Sequence, residues 1–159
     1  MTGRDAVILL LFAALGREPA HAQAARVWEV NGIRLESAQV ERLANDIARQ
    51  TVVAVERLDG LVLHEEQTGA LESIYHSVAL DTYDAVVRVV NQPDLADAAK
   101  EAEVKRLVIE GQERSSLRVA EILEPAQYTI YRAWEQRQVA AFRQRGLWSH
   151  GRRGRRAAR

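Results

Sequence analysis

Val40-Glu41-Arg42-Leu43-Ala44-Asn45-Asp46-Ile47-Ala48-Arg49 steps its apolar residues by three and four positions and leaves Glu41, Arg42, Asn45, Asp46 and Arg49 on the opposite side. That period belongs to an amphipathic α-helix. The same stepping continues through Ala54, Leu58 and Leu61, so a first helix is expected from about Glu36, with Asp59-Gly60 punctuating its end. A second helix should run from about His64 to Val90, with Leu71, Ile74, Tyr75, Val78, Ala85, Val86 and Val89 along one side. Asn91-Gln92-Pro93-Asp94 reads as a stop and restart. Pro93 suits a first helical position, and Asp94 and Asp97 suit the positive end of a helix dipole. The third helix is therefore expected over about Pro93 to Ile122, with Glu101/Lys105 and Glu110/Arg114 as i,i+4 pairs on its wet face. Pro125 opens a fourth, to about Arg145. The fold class is all-α, four main helices in long helical hairpins. Their apolar stripes are narrow, and one chain's hairpins would hardly close a core, which makes a dimer the economical solution.

Outside the helices the chain changes character at both ends. Val27-Trp28-Glu29-Val30-Asn31-Gly32-Ile33-Arg34-Leu35 alternates about an Asn-Gly pair, the dipeptide that favours a tight hairpin turn. Ahead of it, Ala6–Gly16 is an apolar run that Arg17-Glu18-Pro19 breaks. It is far shorter than the roughly 20 residues needed to cross a bilayer. It fits the core of a secretory signal, with small residues for cleavage in Ala20-His21-Ala22 or Ala22-Gln23-Ala24. The expected division is a signal over 1–24, one helical domain over 25–148, and a basic tail over 149–159 that has nothing to bury. There is no cysteine, so an oxidising, periplasmic location is permitted without disulfides. Charges balance overall, yet Arg152, Arg153, Arg155, Arg156 and Arg159 are all in the tail. The signal's acids and bases cancel, so the helical body carries an excess of acid. A dedicated nucleic-acid binder would place its basic patch on the fold, and nucleic acid is not an expected partner.

Two short motifs open the second and fourth helices: Leu63-His64-Glu65-Glu66-Gln67 and Leu123-Glu124-Pro125-Ala126-Gln127. Each has Leu just before the helix and Gln four residues later, where a capping box would let the Gln reach back to the free backbone N–H groups. The paired pattern resembles the Leu-Thr-x-x-Gln motifs of the Spy/CpxP family of periplasmic stress proteins over about Glu36 to Phe142. Leu63, Gln67, Leu123, Pro125 and Gln127 match the motif, while His64 and Glu124 stand where that family has Thr. The resemblance implies a cradle-like antiparallel homodimer that holds unfolded or misfolded envelope proteins without ATP. It also implies a possible inner-membrane stress sensor as partner, and no catalytic residue or cofactor. A second resemblance covers Val27–Arg49, where Val30-Asn31-Gly32 before a helix looks like the opening of SurA-type foldases; it too implies client holding.

Some relatives of the first family sense or tolerate metals, and the candidate ligands here are His64, His76 and Glu72. Glu72 and His76 are four apart on one helix face, a carboxylate–imidazole pair suited to zinc, nickel or copper. His64 and His76 are twelve apart and point about 120° away from each other, so one helix cannot bring both to one ion. An i,i+4 surface hydrogen bond is the plainer reading of Glu72 and His76. Catalysis finds no phosphate loop, nucleophile elbow or HExxH, and Asp81/Asp84 reads as solvated charge. The aromatic series Tyr128, Tyr131, Trp134 and Phe142 has the spacing of core anchors, with Tyr131, Trp134 and Phe142 as the expected core.

The N-terminal reading has a direct check. Protein recovered from an envelope fraction should begin near Gln23 or Ala25 on N-terminal sequencing, and an intact Met1 would reject the cleaved signal.

Overall fold

Backbone hydrogen bonding, which a helix satisfies within itself, accounts for all regular structure from Ser37 onward in the described part of the chain. The computed structural model describes residues 27–30, 33–144 and 147. The expected signal over 1–24, the Asn31-Gly32 pair and the tail over 149–159 lie outside the described residues. Two short strands, β1 (Val27–Val30) and β2 (Ile33–Glu36), pair antiparallel with Val27 opposite Glu36 and Val30 opposite Ile33. Four helices follow: α1 (Ser37–Glu56), α2 (Glu65–Val90), α3 (Asp97–Ala120) and α4 (Pro125–Gln144). Consecutive helices pack against each other, and β1 and β2 lie against α2 and α1 respectively.

Local chemistry explains most helix ends. At α1, the Glu36 N–H donates to Gln39 Oε1 at 2.8 Å, a Gln three residues into the helix reaching back over its start. α1 stops at Glu56, and Gly60 in the following turn has φ +80°, a conformation that costs glycine nothing and L side chains a good deal. Leu58 and Leu61, expected on the helix, therefore sit in the turn, where Leu61 is nevertheless buried. The start of α3 also differs from expectation. Pro93 and Asp94 lie in a turn, and the helix begins at Asp97. Lys100 explains the delay. Its backbone N–H bonds Ala96 O at 2.9 Å, and its buried ammonium donates to Val90 O, also at 2.9 Å. That cation meets the carbonyl end of α2, where the helix dipole is negative. On the wet face Lys105 pairs with Glu101 at 3.0 Å, whereas Glu110, expected to pair with Arg114, is met by Arg106.

The core divides into two clusters. One holds Val40 and Leu43 of α1, Tyr83, Val86, Val87, Val89 and Val90 of α2, Val104 of α3, and Leu147. The other holds Ala48, Val52 and Val55 of α1, Leu61 from the connection, Leu71, Ile74 and Tyr75 of α2, Val119 of α3, Leu123, and Tyr131 of α4. Between them α2 and α3 approach closely at Gly111, where an added Cβ would sit 2.5 Å from Thr82 Oγ1. Glycine is required at that crossing by space rather than by backbone conformation.

Leu71 is fully enclosed, while Leu117 of α3 is 71% exposed. Leu71→Ala should therefore cost about 2–5 kcal/mol, the usual range for emptying a buried leucine site. Leu117→Ala should cost no more than about 0.5 kcal/mol. Urea denaturation of the two variants checks the contrast, and equal midpoints would place Leu71 outside the core.

Candidate functional site

Helices α2 and α4 begin at the two motifs, and the fold brings those beginnings together. Each motif leaves backbone N–H groups unpaired at its helix start. Gln67 Oε1 accepts the His64 N–H at 3.0 Å, and Gln127 Oε1 accepts the Glu124 N–H at 2.8 Å. Pro125, at the first position of α4, has no N–H to satisfy there. The amide nitrogens then cross between motifs. Gln67 Nε2 donates to Ile122 O at 3.1 Å and to Gln127 Oε1 at 2.9 Å. Gln127 Nε2 donates to Val62 O at 2.6 Å and to Gln67 Oε1 at 3.2 Å. Each amide thus uses two donor hydrogens and two acceptor lone pairs, its full capacity. Val62 and Ile122 each precede the Leu of their own motif, so the contact is reciprocal about an approximate two-fold axis. Leu63 is half-buried and Leu123 buried beneath this clasp.

A second polar network runs through the core next to the clasp. Tyr75 Oη donates to Tyr131 Oη at 3.1 Å, and Tyr131 Oη donates to Glu135 Oε1 at 3.1 Å. Glu135 is 2% exposed, and the more exposed Arg132 pairs with its other oxygen. Arg132 also donates to Ser116 Oγ at 3.1 Å, and Ser116 lies 3.3 Å from Tyr128 Oη. A buried carboxylate held by a guanidinium and a phenol is satisfied rather than stranded. Burial pushes the Tyr131 and Tyr75 phenols well above the ordinary tyrosine range, and pushes Tyr83 up to about 12. The hydrogen bond from Arg132 to Glu135 raises the guanidinium further still. None of these phenols is primed to act as a base, and the network's evident work is to tie α2, α3 and α4 together.

The expected core aromatics occupy graded positions. Tyr131 is enclosed and stacks on Tyr128 with ring centres 6.0 Å apart. Trp134 and Phe142 are half-buried, Trp134 against Tyr131 and the second cluster, Phe142 against the first. The candidate metal ligands are dispersed. His64 stands at the start of α2, and His76 Nε2 pairs with Glu41 Oε2 of α1 at 2.8 Å. Among the described residues no group of three His, Cys, Asp or Glu side chains is placed to hold one ion. Sequence reasoning missed Glu135, Arg132 and Ser116. Tyr131 and Glu135 lie four apart on one helix face, which was the available signal, but the burial of that face depends on α2 and α3.

The clasp can be measured as a coupling. Gln67→Leu and Gln127→Leu should each cost about 1–3 kcal/mol, because each strands partners of the lost amide. The double variant should cost less than the sum of the two, with a coupling of about 0.5–3 kcal/mol in a double-mutant cycle. Strict additivity would mean that the two amides act independently.

Compared with models of known families, with curated proteins and with solved structures, the chain matches none, so its function has to be read from its own residues.

Proposed function

We propose that this chain is an ATP-independent, client-holding protein of the bacterial envelope, a distant member of the Spy/CpxP type that works as an antiparallel, cradle-shaped homodimer. One observation carries the reading. The two Leu-x-x-x-Gln motifs, which supply the resemblance, are joined by a reciprocal amide clasp at the starts of α2 and α4. That gives the paired motifs a shared physical role, which two chance matches would not have. The chemistry of client holding asks for many weak contacts rather than a shaped catalytic pocket. The surface has suitable parts: Val62 is 74% exposed beside the clasp, Leu117 is 71% exposed on α3, and arginines and acids lie among them. No cofactor is needed for such work. Among the described residues no helix is long and apolar enough to cross a membrane, which fits an exported protein released from its signal.

The purified mature protein should suppress aggregation of several unrelated heated or reduced clients at near-stoichiometric amounts, with neither ATP nor metal. Added salt should weaken the effect without abolishing it, since charges are screened over about 8 Å at physiological ionic strength while apolar contacts persist. The double variant Val62→Ser/Leu117→Ser should lose much of the effect while keeping its melting temperature. Unchanged light scattering of all clients would sink the chaperone reading. Micromolar metal affinity that vanishes in His76→Ala/Glu72→Ala would instead favour a metal-binding protein.

A further inference from the structure

Native interiors pack as densely as organic crystals and leave few voids larger than a water molecule. This bundle has a cavity of about 340 Å³ between its two core clusters, within the size range of small-molecule sites. It exists because the facing positions are small: Thr51 on α1, Ala79 on α2, and Gly111 and Ser115 on α3. Trp134 and Phe142 of α4 border the same space and remain half-buried instead of filling it. The lining is overwhelmingly apolar. The cavity is partly open to solvent, and its apolar lining suits an apolar guest better than water.

The polar groups in the wall indicate the guest's head. Thr82, Gln112 and Glu135 all line the cavity. Thr82 Oγ1 and Gln112 Oε1 are shielded from water and have no hydrogen-bond partner. Glu135 brings the one buried carboxylate among the described residues, with Arg132 reaching it from the more exposed side. Buried polar atoms are rarely left unpaired: Gln112 Oε1 calls for a donor and the Thr82 hydroxyl can meet a donor or an acceptor, both of which an amine or alcohol on an apolar body supplies. The residues lining the cavity include no lysine or arginine, and Arg132 is already engaged by Glu135, so an anionic head would be desolvated there without a partner.

We propose that this cavity is a binding site for a small amphipathic molecule, an apolar chain or ring system with an uncharged or cationic hydrogen-bond-donating head such as an amine or alcohol. The site lies between the helices and does not include the exposed residues assigned to clients, Val62 and Leu117, so it stands or falls independently of the client-holding reading.

N-phenyl-1-naphthylamine, an apolar aromatic amine that fluoresces when it leaves water, is a direct probe for the full chain. It should bind saturably with one molecule per chain, and decylamine and decanol should displace it. Decanoate should compete at least about tenfold less well, a difference of about 1.4 kcal/mol. Ala79→Leu fills the cavity from α2 and should weaken probe binding at least tenfold without lowering the melting temperature. If that variant is destabilised, Val108→Phe fills the same space from α3 and is read in its place. Leu117→Ser, on the outer surface, should leave probe binding unchanged. Three results would overturn the site: no saturable binding, binding untouched by the filling variants, or decanoate competing as well as decylamine.

Discussion

Two glutamine side chains, fully satisfied by each other and by the backbone at two helix starts, tie the first turns of α2 and α4 together. Gln67 and Gln127 each cap their own helix start and donate across to the backbone just before the partner motif. Helices α2 and α4 are far apart in sequence, and nothing local brings their first turns together. An apolar residue at either position would leave one helix-start N–H and one part-buried carbonyl unpaired. A glutamate could accept but not donate, and would bring a charge into a half-buried contact. The requirement is thus for an amide of this length at both positions.

Around that contact the two core clusters divide the work. The second cluster, with Leu71, Tyr131 and Leu123, packs beneath the clasp and shares its side of the bundle with the Tyr75–Tyr131–Glu135–Arg132 network. The first, with Val86, Val90 and Val104, lies toward the end where Lys100 caps α2. Tight approach at Gly111 and Thr82 sets the distance between α2 and α3. The small residues that permit this approach also leave the room between the clusters. Close backbone contact at one level and open space beside it are two results of the same choice of side chains.

Much of this architecture was legible in the sequence. The 3.6-residue period places α2, α4 and the start of α1 within a residue or two of what is observed, because long amphipathic helices declare their face. It carries α1 past its true end at Glu56 to Leu58 and Leu61, whose burial does not need the helix to continue. The start of α3 was not legible, since Pro93 and Asp94 are good helix-starting residues and the side chain that settles the matter, Lys100, acts on a carbonyl ten residues earlier in the chain. The glutamines could be predicted to reach back over their own helices, but not to meet, because a spacing of sixty residues says nothing about distance in space. His76 shows the same limit. Its neighbour in sequence suggests Glu72, whereas packing of α1 on α2 supplies Glu41. Glu135 was missed because a carboxylate on a helix reads as solvated until its partners are known.

The clasp is self-complementary: the same groups face each other from either side. That is the property of an isologous interface, found here within one chain rather than between two subunits. An interface of this kind cannot distinguish its own second half from the second half of another copy. The connection between the halves, residues 91–96, carries no regular element and is held by Asn91 and Gln92 bonding the last turn of α2, by Leu95 packing on the first cluster, and by Lys100 just beyond it. Were it straight, α1 and α2 of one molecule would meet α3 and α4 of another with every amide contact preserved, at the cost of the Leu95 packing and the backbone bonds that fold it back. The clasp would be satisfied equally in either arrangement, so it is the short connection, and not the clasp, that tells one half which other half to close on.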